Sequence, residues 1–269
     1  MDRLDELAIF VAVIQQGSLA GAARKLRRSA PAVTRAIAAL LHDYQGAVMD
    51  TAEAQLSGLL RITSPVQFGR KHVAPMVMAF LERYPQIHID MQLNDRNLEL
   101  IDEGLDVAVR IGHLQDSSKV ARKLGEVTRI TVASPAYLAQ RGEPLEPAQL
   151  SDHDTIVGTL RPTSGEWRFG PDENGERVRL TPRLLLNEVE TQLLAVRAGK
   201  GIARLLSYQV ADDLANGTLV RLLAAYEPMP VPVQLVANNV QYMPLKVRTF
   251  WDYAYQHLSQ IAQIQPARP

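Results

Sequence analysis

GSLAGAARKLRRSAPAVTRAIAALL, residues 17–41, decides the fold of the N-terminal end of this chain. Gly17 follows a run in which Leu4, Leu7, Ile9, Phe10, Val13 and Ile14 recur at helical spacing. Residues 4–16 therefore read as one amphipathic helix, stopped by the glycine. Ser18 then caps a second short helix, Leu19 to Leu26, whose Ala20, Ala22 and Ala23 permit close packing. Ser29 caps a third, and Pro31 stands in its first turn, where a missing N–H costs little. Short helix, tight turn, helix is a helix-turn-helix pattern.

Charge sharpens that reading. From Leu19 to Leu41 the charged residues are Arg24, Lys25, Arg27, Arg28 and Arg35, all basic, in a chain whose 29 Lys+Arg balance 29 Asp+Glu. A local patch of this kind suits phosphates; the plainer alternative is a solvated helix face. With 269 residues, 46% hydrophobic and 22% charged, the chain has the bulk of a soluble globular protein of one or two domains. Zero net charge supplies no global field toward nucleic acid or membrane. The absence of cysteine removes disulfides, thiol nucleophiles and Cys-based metal sites, and suits a reducing cytoplasm. The start, MDRLDELAIFVAVI, puts acids where a secretory signal needs a basic region. The apolar runs fall short of the roughly 18 residues a membrane span requires. The expectation is a cytoplasmic protein with no membrane partner.

The first 41 residues resemble a LysR-type transcriptional regulator. The family signature is F-x-x-V, then G-S-[LF]-x-x-A-A-x-x-L, then S-x-P-A-V-[ST]-x-x-I-x-x-L, and all three parts are present in order. The resemblance implies that Ser29 to Leu41 is the recognition helix. It implies that Ala30, Pro31, Ala32, Thr34 and Arg35 face the major groove of double-stranded DNA, with Ser18, Arg27 and Arg28 near phosphates and Ser29, the helix cap, among the DNA-binding residues. Val33 and Ile37, on the opposite stripe, are expected in the core. Position 30 departs from the family, which often carries a polar reader there; Ala30 offers only a methyl contact. Arg35 becomes the main candidate for a guanine, worth about 1–3 kcal/mol of discrimination.

A typical family member continues into a two-stranded wing and a long linker helix. Here Leu41 runs straight into HDYQGAVMDTAEAQ, which resembles the last half of the linker, without an alternating pattern, turn dipeptide or wing-like Arg-Thr run. The wing and the first half of the linker are expected to be deleted. Val33, Ile37, Leu40, Tyr44, Val48, Ala52 and Leu56 keep helical spacing, so the recognition helix is expected to continue into the stub, with Gly46 weak by about 1 kcal/mol. The domains expected are a truncated helix-turn-helix at 1–41, a linker remnant at 42–57 and a larger domain at 58–269.

From Gly58 the pattern becomes strand then helix: GLLRITS, a helix through SPVQFGRKHVAPMVMAFLERYPQ, IHIDMQLN, a short helix NLELIDEG, DVAVRIG, TRITVAS and PAYLAQRG. LLLN, EVETQLLAVRAG, GIARL, YQVADDLANG, VPVQLVAN and a last helix near 244–261 follow. Interleaving of this kind argues for a mainly parallel α/β sheet. It resembles the family's effector-binding half, two α/β subdomains like a type-2 periplasmic-binding protein. The expected subdomains are 58–131 plus 238–269, and 132–237. In the family, the helices corresponding to 66–83 and 189–199 pair head to tail between subunits, which implies a homodimer or homotetramer.

Three helix starts repeat one device. Ser64-Pro65 and Ser134-Pro135 follow strands with Ser as cap, and Asn187 with Glu190 forms a capping-box pattern. Helix N-termini at strand ends offer free N–H groups, to which small carboxylates are suited. The resemblance places an effector pocket there, lined by Ser64, Val66, Ser134, Asn187 and the Gly201–Ile202 backbone, with Arg110 adding charge. The plainer alternative is that each cap only stabilises its helix, by about 1 kcal/mol. Gly199-Lys200-Gly201 reads as a helix C-cap and tight turn. The six histidines, at 42, 72, 88, 113, 153 and 257, form no H-E-x-x-H or comparable pair, and no G-x-S-x-G occurs. No catalytic residue, metal or cofactor is expected. A rival reading is a remnant that binds a small molecule or dimerises without reading DNA.

Overall fold

The computed structural model describes residues 3–37, 56–96, 99–114, 120–159, 165–171, 175–238 and 243–265. The chain divides into two units, Met1–Leu56 and Ser57–Pro269. The expected run-on of the recognition helix, the deleted wing and the linker remnant lie outside the described residues.

The first unit holds helix α1 (Arg3–Gln16), helix α2 (Leu19–Lys25) and helix α3 (30–37). Ile9, Ala12, Ala22, Ala23, Val33 and Ala36 form its core, with Val13, Leu26 and Ile37 against it. Four of the six core residues are alanines, so packing here depends on close backbone approach more than on large side chains. The apolar stripe of α1 is narrower than its sequence suggests. Ile9, Ala12 and Val13 turn inward, whereas Phe10 and Ile14, one helical step round, are exposed.

The second unit contains two five-stranded sheets. The first has the order β2-β1-β3-β12-β4, built from β1 (Gly58–Ser64), β2 (Ile87–Leu93), β3 (Val107–Ile111), β4 (Val120–Val127) and β12 (Val231–Ala237). The second has the order β11-β5-β10-β6-β9, from β5 (Arg129–Ala133), β6 (Thr155–Gly158), β9 (Leu184–Leu186), β10 (Ile202–Leu206) and β11 (Val220–Leu222). In each sheet four strands run in one direction and one runs against them, β12 in the first sheet and β5 in the second. A hairpin of β7 (Glu166–Arg168) and β8 (Arg177–Arg179) closes one side.

The chain passes between the sheets at Thr128 and again between β11 and β12. This shifts the expected subdomain limits. A boundary at 131/132 would cut β5 in two, and one at 237/238 would put β12 in the wrong sheet, although it pairs with both β3 and β4. The sequence could not show this, because apolar strands such as VPVQLVA carry no mark of their partner.

After β1, helix α4 runs as Val66–Phe68, a π-turn at Gly69–Val73 and Ala74–Arg83. The wide turn stands just ahead of Pro75, which has no N–H to donate and needs room at the preceding turn's carbonyl. Residues 99–104, read as part of a short helix, instead make hydrogen-bonded turns that bury Leu100 beneath Leu105 and Val236. Helices α5 (Pro135–Arg141), α6 (Val189–Arg197), α7 (Ala211–Ala215) and α8 (Leu245–Leu258) complete the unit. Among the described residues, no helix is long and apolar enough to cross a membrane.

Candidate functional site

In the first unit, the helix starts follow from their local sequence. The Ser18 hydroxyl accepts from the Gly21 N–H at 3.1 Å, and the Ser29 hydroxyl from the Ala32 N–H at 3.4 Å. Helix α2 ends in a Schellman turn. The Arg28 N–H donates to the Ala23 carbonyl at 2.9 Å and the Arg27 N–H to the Arg24 carbonyl at 3.2 Å. Arg27 takes the left-handed position of this turn, φ 52°, which ordinarily favours glycine. The fold thus holds a guanidinium where a residue without a Cβ would sit with less strain.

On α3, Ala30, Pro31, Thr34 and Arg35 are exposed, Ala32 is half-buried, and Val33 and Ala36 are fully buried. The Thr34 hydroxyl donates to the Ala30 carbonyl at 3.0 Å, so what it presents outward is a methyl and acceptor lone pairs. Ser18, Arg27, Arg28 and Ser29 are exposed as well. Arg24, Lys25, Arg27, Arg28 and Arg35 all lie on the outside of this unit.

The second site is a crevice of about 390 Å³ at the C-terminal ends of strands from both sheets. Val66, Leu93, Asn94, Asp95 and Arg96 come from the first sheet's side, and Thr159, Asn187 and Glu188 from the second's. Of the effector residues expected from sequence, Val66 and Asn187 line it.

The others are not among its lining residues. Ser64 is buried, and its hydroxyl contacts the Pro65 carbonyl at 3.4 Å instead of capping α4. Ser134 does cap, accepting from the Tyr137 N–H at 3.3 Å, but it is buried beneath α5. At Gly201, φ is 146° and a Cβ would lie 2.4 Å from the Asp154 carbonyl oxygen. The Ile202 N–H donates to that same oxygen at 2.9 Å. The Gly201–Ile202 backbone is therefore spent on close contact inside the second sheet. Arg110 is buried on β3, on the face that Leu100 and Leu105 cover. Burial depresses its basicity, opposed by the charge of Glu99.

The helix starts facing the crevice are capped by carboxylates that the sequence reading did not single out. The Val66 N–H donates to Asp95 Oδ1 at 2.9 Å. At α6 the cap is Glu188 in place of Asn187. Its carboxylate accepts from the Glu190 N–H at 2.9 Å, the Thr191 N–H at 2.7 Å and the Thr191 hydroxyl at 2.8 Å. Partial burial pushes the Glu188 carboxyl up, but those hydrogen bonds and the charge of Arg70 outweigh it and hold it below its usual value. Asp95 is 29 residues from Val66 in sequence, so no local pattern announces it.

Behind the crevice, a charged network joins α4 to α6 and α7. Arg70 pairs with Glu190 at 2.8 Å and Gln67 reaches the same carboxylate at 3.3 Å. Arg197 binds the buried Asp213 through two bonds of 2.7 and 2.8 Å, and Lys71 pairs with Asp212 at 2.7 Å. His72 packs against Phe68 and Tyr208 inside this network. Burial and the charge of Lys71 lower its pKa, opposed by Asp212. Among the described residues, no three His, Asp or Glu stand where they would hold a metal ion.

Two family models match the chain. The LysR substrate binding domain covers residues 53–259, and the bacterial regulatory helix-turn-helix protein model of the lysR family covers 4–51. An HTH-type transcriptional regulator of Xanthomonas campestris pv. campestris is 30% identical, across 95% of this chain and 86% of the relative. The HTH-type transcriptional regulator PtxR of Pseudomonas aeruginosa is 33% identical, across 81% and 71%. The full-length structure of the Vibrio cholerae virulence activator AphB superposes with a TM-score of 0.67 at 26% identity, covering 95% of this chain and all of that one. The chain belongs to the LysR family of DNA-binding transcriptional regulators, with a helix-turn-helix region and an α/β effector-binding domain. Finding both models in one chain favours a regulator over a module reduced to ligand binding or dimerisation.

Proposed function

We propose that this regulator reads double-stranded DNA through the exposed face of α3 and answers to a small molecule in the crevice. Arg35 is the main guanine contact, and Ala30, Pro31, Ala32 and Thr34 complete the groove-facing surface. Ser18, Arg27 and Arg28 lie near phosphates, and Ser29, the helix cap, is among the DNA-binding residues. The observation that carries this reading is the outward placement of Arg24, Lys25, Arg27, Arg28 and Arg35 around a helix-turn-helix that matches the lysR-family model. Val66 and Asn187 belong to the effector surface, together with Asp95 and Glu188.

In this reading the protein acts in the cytoplasm as a homodimer or homotetramer, without catalysis, cofactor or membrane. Helices α4 and α6, whose Met78 and Leu194 are exposed, provide the subunit contacts. The effector changes how the oligomer holds its operator. Residues 42–57 are a remnant of the linker helix, with wing and first half deleted. One finding supports this: the match to the Xanthomonas relative extends over 294 positions, more than the 269 residues of the chain. The shortened arm alters the spacing of two reading heads, which half-site geometry makes critical.

The test is capture of genomic DNA by the purified chain at near-physiological salt, with sequencing of the bound fragments, beside a version with wing and linker restored. Enrichment of a discrete palindromic site by both supports a working regulator with a tolerated short arm. Enrichment by the restored version alone would overturn DNA reading by the chain as it stands.

A further inference from the structure

We propose that the crevice takes a small ligand bearing a protonated amino group, held between Asp95 and Glu188, and not a simple carboxylate. This rests on the crevice being the effector site. The reason is what already occupies the helix starts. A carboxylate ligand would be drawn there by free N–H groups, yet the N–H of Val66 is bonded to Asp95 and those of Glu190 and Thr191 to Glu188. An incoming anion would have to displace one of these carboxylates and then lie beside it in a confined space, where like charges repel strongly.

The acceptor capacity of both side chains leaves room for a cation. A carboxylate offers about four acceptor sites. Asp95 uses one in the described hydrogen bonds and Glu188 three. An ammonium group brings three donors and no acceptor.

The two carboxylates belong to opposite sides of the crevice and both are positioned firmly. Asp95 sits in a turn in which the Arg96 N–H donates to Asn94 Oδ1 at 2.9 Å, and the Asn94 N–H ties that turn to the Ser64 carbonyl at 2.9 Å. Glu188 is anchored at the first turn of α6, where Arg70 and Gln67 of α4 hold Glu190. A ligand amine bridging Asp95 and Glu188 therefore links the two sheets at the point where the side-chain network already joins them. Arg96, exposed at the rim, supplies the opposite charge, so an amino-acid-like zwitterion fits the same pattern. A cavity of about 390 Å³ suits a molecule of that size.

The experiment follows the backbone amides of the ¹⁵N-labelled full chain during titration with ethylammonium chloride or sodium propionate at equal ionic strength. Ethylammonium is expected to shift the Val66, Glu190 and Thr191 resonances saturably, and propionate to bind at least about tenfold more weakly. The Asp95→Asn variant keeps an acceptor for the Val66 N–H while losing the charge, and is expected to bind ethylammonium several-fold more weakly. Shifts with propionate but not ethylammonium would overturn the amine proposal and leave the crevice an effector site. Shifts with neither would remove the crevice as the effector site altogether. An Asp95→Asn variant with undiminished affinity would overturn the role given to Asp95.

Discussion

The reading head and the crevice treat charge in opposite ways. Between Leu19 and Leu41 the sequence places five cations and no acid, and the structure sets those it describes on the outside of a small alanine-rich core. Around the crevice, acids and bases alternate and are bonded to each other or to helix starts: Asp95 to Val66, Glu188 to α6, Glu190 to Arg70. A surface for a polyanion needs outward-facing cations of one sign, since its affinity comes from counterion release. A pocket for one small molecule recognises it by whatever bonding capacity its paired groups leave over.

The difference extends to what each region tolerates. The crevice scaffold is tightly built at Gly201, so Gly201→Ala should destabilise the second unit by about 2–4 kcal/mol. The check is the urea midpoint, and a loss below about 1 kcal/mol would contradict the close approach to Asp154. On the head, Arg35→Ala should leave folding unchanged and cost about 1–3 kcal/mol of discrimination at one base pair, measured by anisotropy with matched and mismatched duplexes. Equal loss on both duplexes would reduce Arg35 to a phosphate contact.

Arg27→Gly separates the two uses of a residue most clearly. Relief of the left-handed strain should stabilise the fold by up to about 1 kcal/mol, while DNA affinity falls and the salt slope drops by about one. Lower stability and unchanged affinity would make Arg27 a structural residue.

The smallest expected effect concerns pH. The folded pKa of His72 is lowered from 6.5 by its surroundings, burial first. As pH falls, the unfolded chain takes up this proton before the folded one does. The stabilisation is therefore complete above about 6.5 and is lost as pH falls from there through the folded value. His72→Phe should flatten that slope in urea titrations. His153, also lowered chiefly by burial, should leave a residual slope.

How far each region was legible follows from the same contrast. Gly17, Ser18 and Ser29 act within four residues of themselves, and their roles could be read directly; Val33 packs across the unit, and helical spacing announced it. The caps at the crevice depend on contacts across the chain, so Ser64 and Asn187 were natural choices and Asp95 was invisible. Glu188, adjacent to Asn187, was within reach. A cap needs only an oxygen two or three residues ahead of the N–H groups it serves, and Glu188 meets that as well as Asn187 does. Strand β4 escaped because it carries an extra residue. Gly125 pairs with Val233 and Lys123 with Gln234, which leaves Leu124 between them and breaks the alternation.

The central claim is sequence reading by α3. Its most direct test is sequencing of genomic fragments bound by the full chain and by Arg35→Ala at the same salt concentration. The account predicts one recurring site for the full chain, with a guanine preference that relaxes in Arg35→Ala. Enrichment of no site by the full chain, or of the same site with the same preference by both, would contradict it.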